Sequence, residues 1–340
     1  MYQTWMDIKY ANLLSNTLKK FKVKNNNPYL ANCRCHICGD SSKSTSKARG
    51  YIYQIKDRIR YRCHNCGVAY TFPYFLKIIS PLLHEEYVRE KFIARDEEPV
   101  VFSKPEFTVS SIPAYMREGS PLRKLKKISQ LKWDHPAKQY IVKRKIPNVS
   151  HAKLFYCPKF ASWVNTMVPG KLSEERDEPR LIIPFFDENK NMFGFQGRSF
   201  ASNAKIRYIT IILDSNKPKL FGLDTVDKSK RVYVVEGPID SMFLNNAVAM
   251  AGSDVTLPSG FNDVVFVLDN EPRNKEIVKK LDNLIEKGYN VCIWPSNVHE
   301  KDTNDMVLTG MDGEDVQFVI NNNTYNGLMA KVKLNEWKKI

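Results

Sequence analysis

Two short knuckles, Cys35-His36-Ile37-Cys38-Gly39 and Cys63-His64-Asn65-Cys66-Gly67, constrain this chain more than any other feature. Paired cysteines two residues apart, repeated once, supply four sulfurs that suit a single tetrahedral Zn²⁺ with no open position. Glycine after each knuckle lets the backbone turn with positive φ. Cys33 offers a spare sulfur beside the first knuckle, and His36 and His64 lie inside the loops. A closed zinc site does no chemistry; it stiffens a small fold whose core is otherwise thin.

What lies between the knuckles gives that fold its form. Tyr51-Ile52-Tyr53-Gln54-Ile55 reads as a strand, Asp57-Arg58 as a turn, and Ile59-Arg60-Tyr61-Arg62 as the returning strand. Knuckle, hairpin, knuckle is a zinc ribbon. Arg60 and Arg62 alternate onto one strand face, with Tyr51 and Tyr53 on the neighbouring strand. Arginine there suits phosphate. Tyrosine there either stacks on an unpaired base or packs the ribbon's own core.

Charge supports a polyanionic partner. The chain carries a formal +15 over 340 residues, and residues 1–95 hold 17 of the 52 Lys and Arg against 6 of the 37 Asp and Glu. The basic character therefore sits in the cysteine-bearing third. Four of seven cysteines in knuckle spacing indicate metal binding in a reducing compartment. Met1-Tyr2-Gln3-Thr4-Trp5 does not begin a signal peptide, and no apolar run approaches the ~18 residues of a membrane span. A soluble, intracellular protein without a membrane partner is expected.

Periodicity divides the rest. Residues 7–20 and 73–93 have helical spacing, the latter split near Ser80-Pro81, and Asn25-Asn26-Asn27-Pro28 breaks the pattern between them. The stretch 96–112 is charged and proline-bearing without sustained period, as in a linker. A basic helical stretch over 121–150 precedes strand-like runs at 180–185, 192–196 and 206–212. From 230 onward, apolar runs at 232–235, 247–250, 264–268 and 290–294 alternate with helices near 237–245 and 274–287, which predicts a small parallel α/β sheet. Phosphate-loop motifs and internal repeats are absent. Cys157, Cys292, Trp133, Trp163 and Trp294 read as packing residues, and His84, His135, His151 and His299 show no partner spacing.

The second chemical signal lies at the ends of those runs. Glu236-Gly237-Pro238 follows the first, Asp269-Asn270-Glu271 the third, and Lys301-Asp302-Thr303-Asn304-Asp305 the last. Open α/β sheets place their sites along the carboxyl edge. Asp240 follows Glu236 by about one helical turn. Oxygen ligands at this density suit Mg²⁺ or Mn²⁺, not zinc, and such ions activate an attacking oxygen and stabilise a leaving one.

The runs Val-Val-Glu-Gly-Pro-Ile-Asp-Ser (234–241), Val-Leu-Asp-Asn-Glu-Pro-Arg (267–273) and Lys-Asp-Thr-Asn-Asp-Met (301–306) resemble the TOPRIM domain shared by bacterial-type primases, topoisomerases and some nucleases. Upstream, Glu-Pro-Arg-Leu-Ile-Ile-Pro (178–184), Phe-Gly-Phe-Gln-Gly-Arg (193–198), Arg-Tyr-Ile-Thr (207–210) and Lys-Leu-Phe-Gly-Leu (219–223) resemble the basic half of a primase RNA-polymerase domain. With the N-terminal ribbon, the order is similar to DNA primases of T-even-type bacteriophages nearly end to end. One departure is Asp269-Asn270-Glu271, where bacterial primases usually carry Asp-x-Asp.

The resemblance implies an α/β and α+β architecture. A zinc-ribbon DNA-binding domain (1–95) would be followed by a linker (96–112), a basic mixed α+β half (113–229), a TOPRIM catalytic subdomain (230–325) and a tail (326–340). It implies that Glu236, Asp269 and Glu271 are catalytic and hold magnesium, with Asp240, Asp302 and Asp305 as further ligands. Arg180, Arg198, Lys205, Arg207 and Lys219 fall in the basic segment and, with Arg60 and Arg62, are expected to bind template and nucleotide phosphates; a solvated strand-end charge is the plainer reading of Arg180. The implied activity is synthesis of short RNA primers on single-stranded DNA from NTPs. The implied cofactors are structural Zn²⁺ and catalytic Mg²⁺ or Mn²⁺. A replicative hexameric helicase and single-strand-binding protein are the implied partners, in the cytoplasm of an infected bacterial host. A TOPRIM nuclease or topoisomerase-like enzyme, and a non-catalytic zinc-ribbon DNA-binding module, are the alternatives.

Overall fold

The computed structural model describes residues 2–40, 44, 46–97, 120–201, 203–252 and 257–340. Two compact units emerge: Met1–Glu106 with Thr309–Val319, and Phe107–Leu308 with Ile320–Ile340. Most of the expected linker, from residue 98 on, lies outside the described residues.

The first unit begins with α1 (Tyr2–Leu13) and continues as a meander, β1 (Lys22–Asn26), β2 (Tyr29–Cys33), β3 (Gly50–Ile55), β4 (Arg58–Cys63) and β5 (Ala69–Thr71). The five strands form one sheet in chain order, antiparallel throughout. β3 and β4 are the hairpin read between the knuckles. The Asn-rich break at 25–28 is instead the tight turn joining β1 to β2, with Pro28 in the cis form. Helices α2 (Phe72–Ile79) and α3 (Pro81–Glu97) follow, parted where Ser80 adopts an extended conformation ahead of Pro81. Alternate residues of β2–β4 point into an aromatic core, where Tyr61 stacks on Phe75 at 3.9 Å between ring centroids and Ile52, Ile59 and Phe72 are buried.

In the second unit, short β6 (Lys126–Lys127), α4 (Pro136–Lys143), β7 (Phe155–Cys157) and α5 (Phe160–Asn165) precede the long hairpin of β8 (Arg180–Phe186) and β9 (Met192–Ser199) with β10 (Tyr208–Ile212). These strands form an antiparallel sheet in the order β10-β9-β8-β7-β6. Every residue of β8 is buried, and Phe155, Phe160, Trp163, Ile182, Phe195 and Ile211 make its core. The stretch 121–150 is helical only over α4 and short 3₁₀ turns.

The second unit's other sheet holds β11 (Leu220–Phe221), β12 (Val232–Val235), β13 (Ala247–Met250), β14 (Val264–Val267), β15 (Asn290–Cys292) and, later, β16. Between these run α6 (Pro238–Ser241), α7 (Lys275–Glu286) and α8 (Thr303–Leu308). The chain then forms α9 (Gly313–Asn322), β16 (Thr324–Tyr325) and α10 (Gly327–Trp337). Strand order is β11-β13-β12-β14-β15-β16, with β12–β15 parallel and the two edge strands antiparallel. β12 and β14 are buried along their whole length, as parallel strands covered on both faces must be. Cys157, Cys292, Trp163 and Trp294 pack in cores as expected, whereas Trp133 is exposed. Among the described residues no helix is long and apolar enough to cross a membrane.

Residues 309–319 cluster with the first unit, although they follow the carboxylate motifs in sequence. There Asp315 pairs with Arg60 at 2.7 Å, Asp312 pairs with Arg58, and the ring of Phe318 lies 4.4 Å beneath the Arg60 guanidinium.

Candidate active site and zinc site

The knuckles close as their spacing requires. Gly39 and Gly67 turn at φ +64° and +75°, and their amides donate to the carbonyls of Cys35 and Cys63. Asp40 ties the first knuckle down, accepting from the amides of Cys35 (2.8 Å) and Arg49 (3.2 Å). The four sulfurs of Cys35, Cys38, Cys63 and Cys66 all lie within 4.8 Å of one another. A tetrahedron with Zn–S bonds of ~2.3 Å has edges of about 3.8 Å, and the Cys38 and Cys63 sulfurs are 3.8 Å apart. Residue type and geometry therefore fit a structural zinc. Burial pushes the Cys38 thiol up, yet hydrogen bonds from Asn65, the Asp40 backbone and neighbouring thiols draw it down to about 7. Cys33, by contrast, is pushed up to about 12 by burial and by Cys35 and Asp40, and stays a protonated core thiol outside the cluster.

Of the two ribbon arginines, only one faces solvent. Arg62 is exposed opposite half-buried Tyr51, whose ring meets His64 edge-on at 5.2 Å. Arg60 is 6 % exposed and engaged by Asp315 and Phe318, so its charge is spent inside the unit and not offered to phosphate. The strand alternation that groups the two is correct; the covering segment, 255 residues away, is not visible from it.

In the second unit the carboxylates gather at the strand ends. Parallel pairing sets Val235 beside Val267, so the chains leaving β12 and β14 deliver Glu236 and Asp269 side by side. The Asp269 amide donates to Glu236 Oε2 at 3.4 Å. Gly237 then makes room: a Cβ there would lie 2.6 Å from Oδ2 of Asp240, whose carboxylate folds back over the turn. Asp240 Oδ1 accepts from the Thr303 hydroxyl (3.0 Å) and the Asn304 amide (3.3 Å), which draws the 302–305 loop to the same edge. Burial, then the neighbouring Asp302, pushes Asp240 up to about 7; burial, then Glu236 and Asp240, does the same to Asp269.

Glu271 behaves differently. It accepts from Asn274 Nδ2 (3.0 Å) and from Lys301 Nζ (3.0 Å), and the lysine contact lowers its pKa. Lys301 also reaches Asp269 at 3.5 Å, and Lys280 holds Glu236 at 3.1 Å. Asp302 caps α8 through the Asp305 amide (2.8 Å), while burial and Asp302 raise Asp305. Glu236 and Asp269 are linked directly, with the charges of Asp240 and Asp302 near Asp269, while Glu271 shares Lys301 with Asp269. Oxygen donors whose burial, and then mutual repulsion, raise their pKa fit a hard divalent cation, which would supply the missing counter-charge.

The basic residues divide. Arg198 is buried between the rings of Tyr208 (4.6 Å) and Tyr140 (5.7 Å), and burial lowers its pKa with Arg144 and Arg207 nearby. Arg180 is buried too, and its guanidinium is used by the carbonyls of Gly197 and Ile206 and by Glu178; it ties β8 to β9 and the following loop and is not a phosphate contact. Lys205, Arg207 and Lys219 are exposed. Sequence reasoning passed over Lys280, Lys301 and Arg144. Arg144 lies in the basic stretch after α4 and bonds Asn304 at 2.6 Å beside Asp305. Only Lys301, inside the acidic motif, carried a local signal.

No family model matches the chain. The DNA primase of Enterobacteria phage T4 is 34% identical over 348 residues, spanning 99% of this chain and 98% of that protein. The chain belongs to the phage DNA primase family. Among solved structures, the zinc-binding and RNA polymerase domains of Aquifex aeolicus primase are similar at 17% identity and TM-score 0.44, covering 93% of this primase and 83% of that chain. The E. coli primase catalytic core is similar at 18% identity and TM-score 0.42, covering 57% and 74%.

Proposed function

We infer that this DNA primase joins ribonucleotides on single-stranded DNA, the 3′-hydroxyl of one attacking the α-phosphate of the next while pyrophosphate leaves. The observation that carries this reading is the delivery of Glu236 and Asp269 by adjacent parallel strands, with Asp240 and Asp302 at the same edge. Glu236, Asp269, Asp240 and Asp302 would hold Mg²⁺ or Mn²⁺, which when bound neutralises phosphate charge and favours the attacking alkoxide. Lys280 and Lys301 keep Glu236, Asp269 and Glu271 in place. Arg198, stacked between two tyrosines, presents a fixed cation to a nucleotide phosphate, and exposed Lys205, Arg207 and Lys219 suit the template backbone. In the zinc unit, Arg62 and Tyr51 form the matching surface for unpaired template.

On this reading the zinc unit selects the start site. A linker within 96–112 joins it to the catalytic half, 113–325 apart from residues 309–319 of the zinc unit, and residues 326–340 form a tail. A hexameric helicase and single-strand-binding protein are the expected partners, in the bacterial cytoplasm where the phage genome is copied.

The test is direct. The protein is incubated with single-stranded DNA, NTPs and Mg²⁺, and labelled products are resolved by length. Short RNA that depends on template and on all three components is expected. Asp269→Ala should abolish it, by at least ~10²-fold, while bound zinc stays at the wild-type level. DNA cleavage without NTPs, or no oligoribonucleotide on any template with helicase present, would reject the reading in favour of a TOPRIM nuclease or a binding module.

A further inference from the structure

Asn270 stands between two acids with different partners: Asp269 meets Glu236, and Glu271 meets Lys301. Its own side chain bonds elsewhere. Nδ2 donates to the carbonyls of Val298 (2.8 Å) and Glu300 (3.1 Å), and Oδ1 accepts from the Trp337 indole N–H at 3.0 Å. The backbone follows the same partners. The Asn270 amide donates to the Lys301 carbonyl at 2.7 Å, and the Pro272 carbonyl accepts from the Lys339 amide at 2.8 Å. Just before Asp269, the Leu268 carbonyl accepts from the Trp294 indole at 2.7 Å. Three segments therefore meet at one amide side chain: the turn after β14, residues 298–301 with Lys301 at their end, and the last turn of α10. Helix α10 is itself fixed. Ala330, Leu334 and Trp337 are buried, Lys331 pairs with Glu286 of α7 at 3.6 Å, and Asn326 donates to Asn290 of β15 at 3.1 Å. An amide that spends both donors on carbonyls and its oxygen on an indole can sit only one way round. It thereby fixes the backbone that carries an acid on each side.

We propose that Asn270 and Trp337 are positioning residues for the metal-holding acids. The indole at the end of α10 locks the Asp269-Asn270-Glu271 turn, so that Asp269 stays beside Glu236 and Lys301 reaches both acids of the turn. The inference rests on the reading of Glu236 and Asp269 as ligands of a divalent ion. Asn270 and Trp337 act through the backbone and through Lys301, not on the ion. Without the lock the turn samples other arrangements, and only the fraction in the competent one binds the ion, which lowers the apparent affinity. By the same linkage a bound ion tightens the lock by an equal factor. The 326–340 tail then belongs to the catalytic platform.

Mn²⁺ binding to the zinc-loaded full chain, followed by electron paramagnetic resonance, tests this. Asn270→Ala and Trp337→Phe should each weaken binding about tenfold, the lower end of what changes behind the ligands cost. The double variant should bind no more weakly than Asn270→Ala alone, because both changes remove the same bond. Lost packing at Trp337 would instead multiply with the loss at Asn270. A second measurement uses wild type only. Mg²⁺ should slow amide hydrogen exchange in peptides covering 335–340 by about tenfold, the reciprocal of the same coupling. This arm needs no altered protein, so a misfolded variant leaves the proposal open to refutation. Equal Mn²⁺ affinity in wild type and both variants would overturn the proposal and leave the carboxylate site standing. So would losses that multiply in the double variant, or exchange over 335–340 that is indifferent to Mg²⁺. Wild type that binds no Mn²⁺ would overturn the carboxylate reading and this inference with it.

Discussion

Asp7 is buried at 2 % exposure in the first unit, accepting from the Tyr87 hydroxyl at 2.7 Å. Burial, with Asp315 nearby, raises its pKa from 3.8 to about 7, outweighing the pull of Tyr87 and Lys91. The folded state therefore holds this proton more tightly than the unfolded chain. Its stabilising effect is complete below pH 3.8 and is lost as pH rises to about 7. Over that window Asp7→Asn should remove a slope of up to ~1.4 kcal/mol per pH unit, read as the difference in unfolding free energy between variant and wild type. A difference that does not vary with pH would contradict it. At this scale the sequence was legible where chemistry is local: the four cysteines and the strand-end acids stand where their spacing implies. It was not legible where a partner comes from afar. Nothing near Arg60 signals Asp315, and nothing near Arg180 signals the carbonyls of Gly197 and Ile206 that engage it.

Asp315 stands in the first turn of α9, where Asp312 Oδ1 accepts from its amide at 3.0 Å and Asp315 Oδ2 accepts from the Asp312 amide at 3.4 Å. That reciprocal cap fixes the helix start and aims the Asp315 carboxylate at Arg60 of β4. Asp315→Ala would leave a buried guanidinium without its counter-ion, a cost of about 3–5 kcal/mol, seen as a lower unfolding temperature of the first unit. The Arg60→Met, Asp315→Leu double variant should recover most of the loss. If both fall equally, the ion pair is not the cause. Elements with a strong period were readable in advance: the β3–β4 hairpin from alternation, and β12–β15 from unbroken apolar runs. The two-residue strands β6, β11 and β16 were not, since no period fits in two residues. The β1–β2 hairpin was missed because its turn residues also mark a plain break.

For the molecule as a whole, zinc and carboxylate chemistry reside in separate compact units. Removing the metal should therefore act on one of them. Without the cation the sulfurs take up protons and lose the bonds that tie the two knuckles together, so chelation should strip hydrogen-exchange protection from β3 and β4 and leave β12–β14 protected. Loss of protection in both would mean that the second unit depends on the first. The assignment of 309–319 to the ribbon's unit lay beyond sequence reasoning, because the chain returns to its first unit after completing most of its second.

The central claim is that Glu236 and Asp269, set side by side by parallel strands, hold a divalent ion. Mn²⁺ electron paramagnetic resonance on the zinc-loaded protein measures it most directly. Wild type should bind Mn²⁺ at a site that Glu236→Gln and Asp269→Asn each weaken by at least about tenfold, with zinc content and unfolding temperature unchanged. Mn²⁺ bound equally by wild type and both variants would contradict the account.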